Sequence, residues 1–234
     1  EEKSILIEEN RQLMRKTLKR YFGDVLSEKI LAQKGELEGE NRWVSILFTD
    51  ISDYSTITEN MAPEVALEFL NEYFSEMHNV IKEFDGQILN YIGDSIMVVF
   101  GAPNNLKGHE NKAIECSLKM RKKLEELNLS WDKTDASRYW KNHGISSIKM
   151  RIGIHTGNVI AGNVGSVEMI QYSTIGDTVN VAARLEKANK EFGTDILFGD
   201  EVYTALTKKL YSQSKLSGEI TLKGRAKPTK VYSI

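Results

Sequence analysis

The chain has 234 residues, of which 41% are hydrophobic and 27% charged, enough for one globular domain with a sizeable core and an appendage. Its formal net charge is −2 and its basic residues are scattered, which argues against a nucleic-acid-binding protein. No apolar run reaches the ~18 residues of a membrane span and no signal peptide is visible, so we expect no membrane contact from these residues. Cys116 is the only cysteine and cannot form an internal disulfide, which predicts a cytoplasmic location.

The first 22 residues are rich in Glu, Lys, Arg and Leu, which predicts a helix. Its apolar residues recur at seven-residue spacing in two series, Leu6 and Leu13, and Ile7, Met14 and Tyr21. This spacing is typical of a short parallel coiled coil, and it also fits an amphipathic helix packed against its own domain. We assign residues 1–22 to this helix and residues 23–234 to the following domain. The chain starts with Glu rather than Met, so we expect a fragment with a sensor region upstream, and the full-length protein could be membrane-anchored.

The first half of the domain shows clear strand, helix and turn signals. Apolar runs and turn residues predict a polar loop at 35–41, a strand at 44–50, a helix at 63–84, a hairpin of strands 87–92 and 95–99, and a second helix at 110–127. Pro63 suits the first turn of its helix, and Gly93 with Asp94 forms the hairpin turn. Residues 128–147 are polar and predict a loop insertion, whose aromatic residues we interpret as packing anchors.

The second half begins with apolar residues that alternate from Ile148 to Ile154, which predicts a strand. Glycines at 153, 157, 162 and 165 predict tight hairpins that lead into a second strand, and no dinucleotide-binding glycine motif is present. The remaining predicted elements are strands at 169–175, 196–198, 219–222 and 230–233 and helices at 177–190 and 200–206. Strands and helices mix without strict alternation, which predicts an α+β fold with a mostly antiparallel sheet.

Two aspartates lie at predicted strand tips, Asp50 after the first strand and Asp94 in the hairpin turn. Each alone is more often a turn or helix cap, but two such carboxylates can hold one or two Mg²⁺ ions against a triphosphate. Ser52, Asp53 and Tyr54 follow Asp50 and predict a helix start whose N–H groups bind phosphate oxygens.

Asn180 and Arg184 lie four residues apart on a predicted helix, and therefore on one helix face. A guanidinium can bind a phosphate through a fork of donors, and an amide can orient a ribose. The alternative is an ordinary solvated helix surface. We interpret His155 as a hydrogen-bonded structural histidine and Cys116 as a packing residue.

Four motifs together resemble the class III nucleotidyl cyclases from about Arg42 to Ile234: Phe48-Thr49-Asp50-Ile51, Ile92-Gly93-Asp94, Arg151-Ile152-Gly153-Ile154-His155-Thr156-Gly157, and Gly176-Asp177-Thr178-Val179-Asn180 with Arg184. The resemblance implies a ferredoxin-like βαββαβ core with extra C-terminal elements. It implies an adenylate cyclase that makes 3′,5′-cyclic AMP and pyrophosphate from ATP with two Mg²⁺ or Mn²⁺ ions. It also implies that the Ile51 carbonyl is a metal ligand and that Lys223 or Arg225 binds the triphosphate.

The resemblance further implies a homodimer with each site shared between protomers. One protomer gives Asp50 and Asp94, and the other gives Ser173, Asn180 and Arg184. Adenylyl cyclases of this class carry a lysine four residues before the second metal aspartate and guanylyl cyclases a glutamate, whereas this chain has Asn90.

The amide of Asn90 carries both a donor and an acceptor, and the sequence does not assign it to either side of the shared site. Ser173, at the second base-reading position, resembles the class IIIb adenylyl branch. We favour ATP. A guanylate or dual-specificity cyclase is one alternative, and a catalytically silent nucleotide-binding or dimerisation module is another.

Overall fold

The computed structural model describes residues 2–221 and 228–234. In these residues the strands are β1 (Glu40–Ile51), β2 (Gln87–Ile92), β3 (Ser95–Phe100), β4 (Met150–Gly165), β5 (Ile170–Ile175), β6 (Ile196–Gly199), β7 (Lys215–Ile220) and β8 (Thr229–Ser233). The helices are α1 (Glu2–Ala32), α2 (Tyr54–Thr58), α3 (Pro63–Glu83), α4 (His109–Lys133), α5 (Arg138–Lys141), α6 (Asp177–Phe192), α7 (Asp200–Thr204) and α8 (Lys208–Gln213).

The core of the fold is the chain-order unit β1-α3-β2-β3-α4-β4. Its strands lie in the order β2-β3-β1-β4, and each neighbouring pair is antiparallel. This is the ferredoxin-like arrangement, so the predicted fold class is confirmed. Beyond β4 the sheet continues through β6, β8 and β7, with a parallel β4–β6 pair, and β5 forms a hairpin with the second half of β4.

Side chains of β1 alternate between two apolar clusters, as expected for a strand covered on both faces. Leu47 and Ile51 pack in the larger cluster, which includes the buried faces of α3 and α4. Val44 and Ile46 pack in a second cluster with Leu26 of α1 and the β4–β5 hairpin. The sheet is therefore buried on both sides around β1, the strand that ends at Asp50.

The N-terminal helix α1 runs to Ala32, ten residues beyond the predicted end, and has a non-helical residue at Gly23 (φ 75°, ψ 172°). Beyond Gly23 the helix packs on the sheet through Leu26, which is 3% exposed. Before Gly23 the apolar side chains of both seven-residue series are exposed, between 50% and 78%. A helix packed against its own domain therefore does not fit these residues. In the part of the chain that the structure describes, no helix combines the length and apolarity needed to cross a bilayer.

Residues 128–147 are not a loop insertion, because α4 continues to Lys133 and α5 follows. Asn128 connects this extension to the segment just before β4: its side chain donates to the Ile148 carbonyl (2.9 Å) and accepts from the Ile148 amide (2.8 Å). The packing role of the aromatic residues is confirmed, since Trp131 and Trp140 are 2% and 1% exposed and Trp131 lies 5.0 Å from the ring of Phe69.

The predicted glycine hairpins between 153 and 165 are also wrong, because β4 is one continuous 16-residue strand. The glycines permit close backbone approach instead. A Cβ at Gly153 would lie 2.1 Å from the Glu186 amide nitrogen, and one at Gly162 would lie 2.7 Å from Cα of Gly39. The strand predicted at 219–222 is displaced as well, since β7 spans Lys215–Ile220.

Candidate active site

Asp50 and Asp94 lie together at one end of the sheet. Asp50 is the penultimate residue of β1, and the adjacent Ile51 amide donates a hydrogen bond to Oδ2 of Asp94 (2.9 Å). Burial raises the pKa of Asp94, the Ile51 hydrogen bond opposes this, and the nearby charge of Asp50 raises the pKa further. Two half-buried carboxylates that repel each other favour a bound cation.

The donor chemistry at this end fits a hard divalent cation. Two carboxylates and the Ile51 main chain offer oxygen ligands of the kind that Mg²⁺ and Mn²⁺ prefer. Among the described residues no group of three or more His, Cys, Asp or Glu side chains is arranged to hold a metal. A cation here therefore needs further oxygen ligands from water and a phosphate group, as is usual for Mg²⁺ sites that act on nucleotides.

Arg151 and Glu186 extend this cluster, and neither role was predicted from the sequence. Asp50 pairs with Arg151 across β1 and β4, and Arg151 Nη2 lies 2.6 Å from Asp50 Oδ1. Arg151 Nε donates to Glu186 Oε1 of α6 (3.1 Å). Burial, followed by the charge of Asp50, raises the pKa of Glu186 to about 7. Arg151 is the first residue of the motif that runs from Arg151 to Gly157, but only the strand pairing shows that it faces Asp50.

The segment after Asp50 turns into the short helix α2. Asp53 adopts the left-handed conformation (φ 57°), which aspartate tolerates better than most residues. The Ser52 amide already donates to the Lys149 carbonyl (2.8 Å). Tyr54 begins the helix, and burial, followed by the charge of Asp94, raises the pKa of its phenol. The phosphate contacts predicted for this segment are therefore left to Asp53 and Tyr54.

Asn180 and Arg184 lie in the first half of α6, Asn180 exposed and Arg184 half-buried. Within the described residues, neither side chain has a hydrogen-bond or ion-pair partner. Glu186 is buried, and it lies about 200° around the helix axis from Arg184. Since Glu186 faces Arg151 and Asp50, the face that carries Asn180 and Arg184 is turned away from the metal end of its own protomer.

Asn90 lies on β2, and it contacts β5 of the same chain. Gln171 on β5, a residue that the sequence analysis missed, donates from Nε2 to Oδ1 of Asn90. Ser173 lies two residues further along β5, half-buried. Asn90 and Gln171 also line a cleft of about 630 Å³, whose other wall is the α1 segment 19–26. Within one chain, Asn90 therefore lies beside β5, the strand that carries Ser173.

The remaining candidates lie outside this site. His155 is 2% exposed and lies beside Glu201 (3.6 Å), which fits the structural role expected for it. Cys116 is fully buried in α4 and packs in the larger apolar cluster. Lys223 and Arg225 lie outside the described residues, so their predicted triphosphate contact stays a prediction.

The sequence of the chain is similar to sequences of known proteins. An adenylate cyclase, "Adenylate cyclase 1" of Rhizobium meliloti (strain 1021), is 35% identical over 205 residues, which are 86% of this chain and 29% of that protein. The chain therefore spans less than a third of the length of this relative.

Solved structures agree on the fold and include both kinds of cyclase. A bacterial light-regulated adenylyl cyclase superposes with a TM-score of 0.80 at 25% identity, covering 99% of this chain and 63% of that one. The guanylyl cyclase Cya2 superposes with a TM-score of 0.69 at 28% identity, covering 84% and 93%. The family model for the adenylate and guanylate cyclase catalytic domain matches residues 38–234. The chain belongs to this family of nucleotidyl cyclase catalytic domains.

Proposed function

We propose that the chain converts ATP to 3′,5′-cyclic AMP and pyrophosphate at sites shared between two copies of itself. One observation carries the proposal: two carboxylates lie together at one end of the sheet, while Asn180 and Arg184 have no partner among the described residues and lie on a helix face turned away from it. The name of the Rhizobium meliloti relative supports an adenylate cyclase. A catalytically silent module is less consistent with a chain that keeps both aspartates, the amide and the arginine.

The orientation of α6 supports a site that is completed by a second copy. In one protomer, Glu186 directs its side of α6 towards Asp50, and Arg184 lies on another side of the helix. A partner protomer can present its own Asn180 and Arg184 instead. Because Gln171 ties Asn90 to the strand of Ser173, these two base-reading residues would come from the same protomer as Asn180 and Arg184.

In the reaction, the ribose 3′-oxygen attacks the α-phosphorus, the bond to the β-phosphate oxygen breaks, and the hydroxyl proton passes to solvent. Two Mg²⁺ or Mn²⁺ ions held by Asp50, Asp94 and the Ile51 carbonyl would activate the hydroxyl and neutralise the leaving pyrophosphate. Arg184 of the partner subunit binds the α-phosphate oxygens as their charge rises, and the partner's Asn180 orients the ribose.

The Asn90–Gln171 contact supports adenine as the base. Gln171 occupies the carbonyl oxygen of Asn90, so the Asn90 amide group remains to donate outward. Adenine N1 accepts a hydrogen bond, whereas guanine N1–H donates one. GTP stays a second candidate, because a guanylyl cyclase superposes as well and the Asn90 amide carries no charge to exclude guanine.

The exposed stripe on α1 supports a parallel coiled coil between the two copies. Leu6 and Leu13 are 58% and 63% exposed, and in the described structure nothing covers them. A second α1 that packs in parallel would bury these leucines, as a coiled coil buries apolar residues at seven-residue spacing. The division of the chain at residue 22 and the upstream sensor stay predictions, and a cytoplasmic location stays a prediction that rests on the single cysteine.

The direct test is to incubate the purified domain with Mn²⁺ and either ATP or GTP, and to resolve the products by chromatography. We expect cyclic AMP from ATP and a smaller yield of cyclic GMP. Absence of both products from a folded dimer that binds nucleotide would favour the silent module, and faster turnover of GTP would favour the guanylate cyclase.

A further inference from the structure

Helix α6 is fixed to β4 with unusually little space between them. A Cβ at Gly153 would lie 2.1 Å from the Glu186 amide nitrogen and 2.3 Å from the Ala182 carbonyl oxygen. At the start of α6, Thr178 Oγ1 donates to the Asn158 carbonyl of β4 (2.9 Å). The helix and the strand therefore form one closely packed body.

One charged side chain connects this body to the metal end. Arg151 of β4 contacts Asp50 through Nη2 (2.6 Å) and Glu186 through Nε (3.1 Å). Glu186 is 6% exposed, so its carboxylate has little access to water and depends on Arg151 for charge compensation. The three residues form a continuous chain of charge-assisted contacts from β1 to α6.

We propose that Glu186 is a positioning residue for Asp50 that acts through Arg151. Glu186 shares the charge of Arg151, so Asp50 is held in place yet keeps enough negative charge to bind a cation. Without the Glu186 charge, Asp50 would be the remaining carboxylate in this chain of contacts to compensate Arg151, and it would bind a cation less well. The inference rests on the proposed function insofar as Asp50 is taken as a metal ligand.

The same contacts have a consequence for the dimer. Asp50 serves one site, whereas Asn180 and Arg184 on the same α6 serve the other site. Glu186 therefore joins the metal end of one active site to the helix that completes the second. This arrangement gives the two sites of a homodimer a physical connection within each protomer.

The first test measures cation binding without catalysis. Mn²⁺ is titrated into the dimeric domain with an α,β-methylene analogue of ATP, which cannot release pyrophosphate, and free Mn²⁺ is followed by electron paramagnetic resonance. At a pH at least one unit above the pKa of Glu186, where its carboxyl group is ionised, we expect Glu186→Gln to weaken Mn²⁺ binding about fivefold, the low end of typical coupling between linked sites. The matched control is Glu191→Gln, the same change on an exposed position of α6.

Arg151→Lys is the second variant, since it keeps the charge but loses the fork that reaches two carboxylates. Arg151→Lys should also weaken Mn²⁺ binding. If Glu186→Gln does not fold, this variant provides the test of the proposal. Mn²⁺ affinity within twofold of wild type in the folded variants would overturn the proposal.

A second test assigns the effect to a protomer. In a heterodimer of Asp50→Ala and Arg184→Ala chains, the surviving site takes Asp50 from the Arg184→Ala chain. Glu186→Gln should raise the Mn²⁺ concentration for half-maximal activity when it is placed in that chain, and not in the other. An effect that follows the Asp50→Ala chain would mean that Glu186 only anchors α6, which contradicts the proposal. The Mn²⁺ titration does not depend on complementation, so failure of the shared-site model and failure of this inference are distinguished.

Discussion

The two ends of the candidate site differ in how complete they are within one chain. At the metal end, Asp50 and Asp94 each have a partner, Arg151 and the Ile51 amide. On α6, Asn180 and Arg184 have no partner among the described residues, although the helix itself is fixed to β4. One half of the site is thus preformed, and the other half presents free side chains on a rigid support. This difference indicates a surface that is completed by a second copy.

The largest expected effect comes from removing a carboxylate at the metal end of the site. Asp50→Ala or Asp94→Ala removes a charged ligand and should lower turnover by ~10² or more. The fold should persist because both carboxylates are only half-buried and lie at strand tips. Asp195→Ala, an exposed aspartate in front of β6, is the control for thermal stability and activity. Turnover near wild type in both site variants would eliminate the two-cation interpretation.

A second prediction concerns base recognition by Asn90 and Ser173, which we place on the same side of the shared site as α6. Each neutral hydrogen bond lost to the wrong base costs about 1 kcal/mol, and more when a buried partner is left unpaired. With up to two such bonds lost, wild type should discriminate ATP from GTP by roughly 10–100-fold in kcat/KM. Asn90→Lys should increase the preference for ATP, because a charged donor is stronger. Asn90→Glu combined with Ser173→Cys should shift the nucleotide preference towards GTP.

Gln171→Glu gives an independent test of the same contact. A carboxylate can only accept, so Asn90 must turn its amide group towards it and its carbonyl towards the base. The ratio of kcat/KM for ATP to that for GTP should fall about tenfold. Val167→Glu, at the exposed tip of the same hairpin, controls for the added charge. Equal losses for both nucleotides would show that Gln171 acts on stability and not on base choice.

A third prediction concerns what brings the two halves together. Deleting residues 1–22 should weaken dimerisation and make specific activity depend more steeply on protein concentration, because apolar area is lost from the interface. Leu13→Glu should act in the same direction, whereas Gln12→Glu, the neighbouring residue outside both series, should not. Sedimentation analysis gives the dimer constants, and an unchanged constant after the deletion would remove α1 from the dimer interface.

The smallest expected effect is on stability. The pKa of Glu186 is raised from 4.5 to about 7, first by burial and then by the charge of Asp50. The protonated form is therefore favoured in the folded state, and stability from this group is full below about pH 4.5 and lost as the pH rises through about 7. Relative to Glu186→Gln, the metal-free wild type should lose thermal stability over that range. A constant difference between the two melting temperatures would contradict the shifted pKa.

The fold could be predicted from the sequence where the spacing of apolar residues was regular. Helix α3 and the β2–β3 hairpin follow directly from their apolar stripe and the Gly93-Asp94 turn. The continuation of α4 was missed because Asn128 in its last part bonds to the main chain of Ile148, twenty residues later and just before β4, and local spacing does not show such a contact. The glycines of β4 were misread because a close approach to α6 and a turn both require glycine.

The candidate site could be predicted only in part, again because some of its contacts join residues far apart in the sequence. Asp50, Asp94, Asn180 and Arg184 lie in recognisable motifs, so residue type and spacing were enough to propose them. Glu186 and Gln171 gain their roles from contacts across the sheet, to Arg151 and to Asn90. Such contacts depend on strand order and helix orientation, which no local pattern contains.

Complementation between the two halves tests the central claim most directly. Asp50→Ala and Arg184→Ala homodimers should each be nearly inactive. If dimers re-form at random from equal amounts, half are heterodimers with one intact site, so activity should recover to about a quarter of wild type. Heterodimers are quantified with two different affinity tags in the same sample. Heterodimers that form but stay inactive would contradict a site shared between protomers.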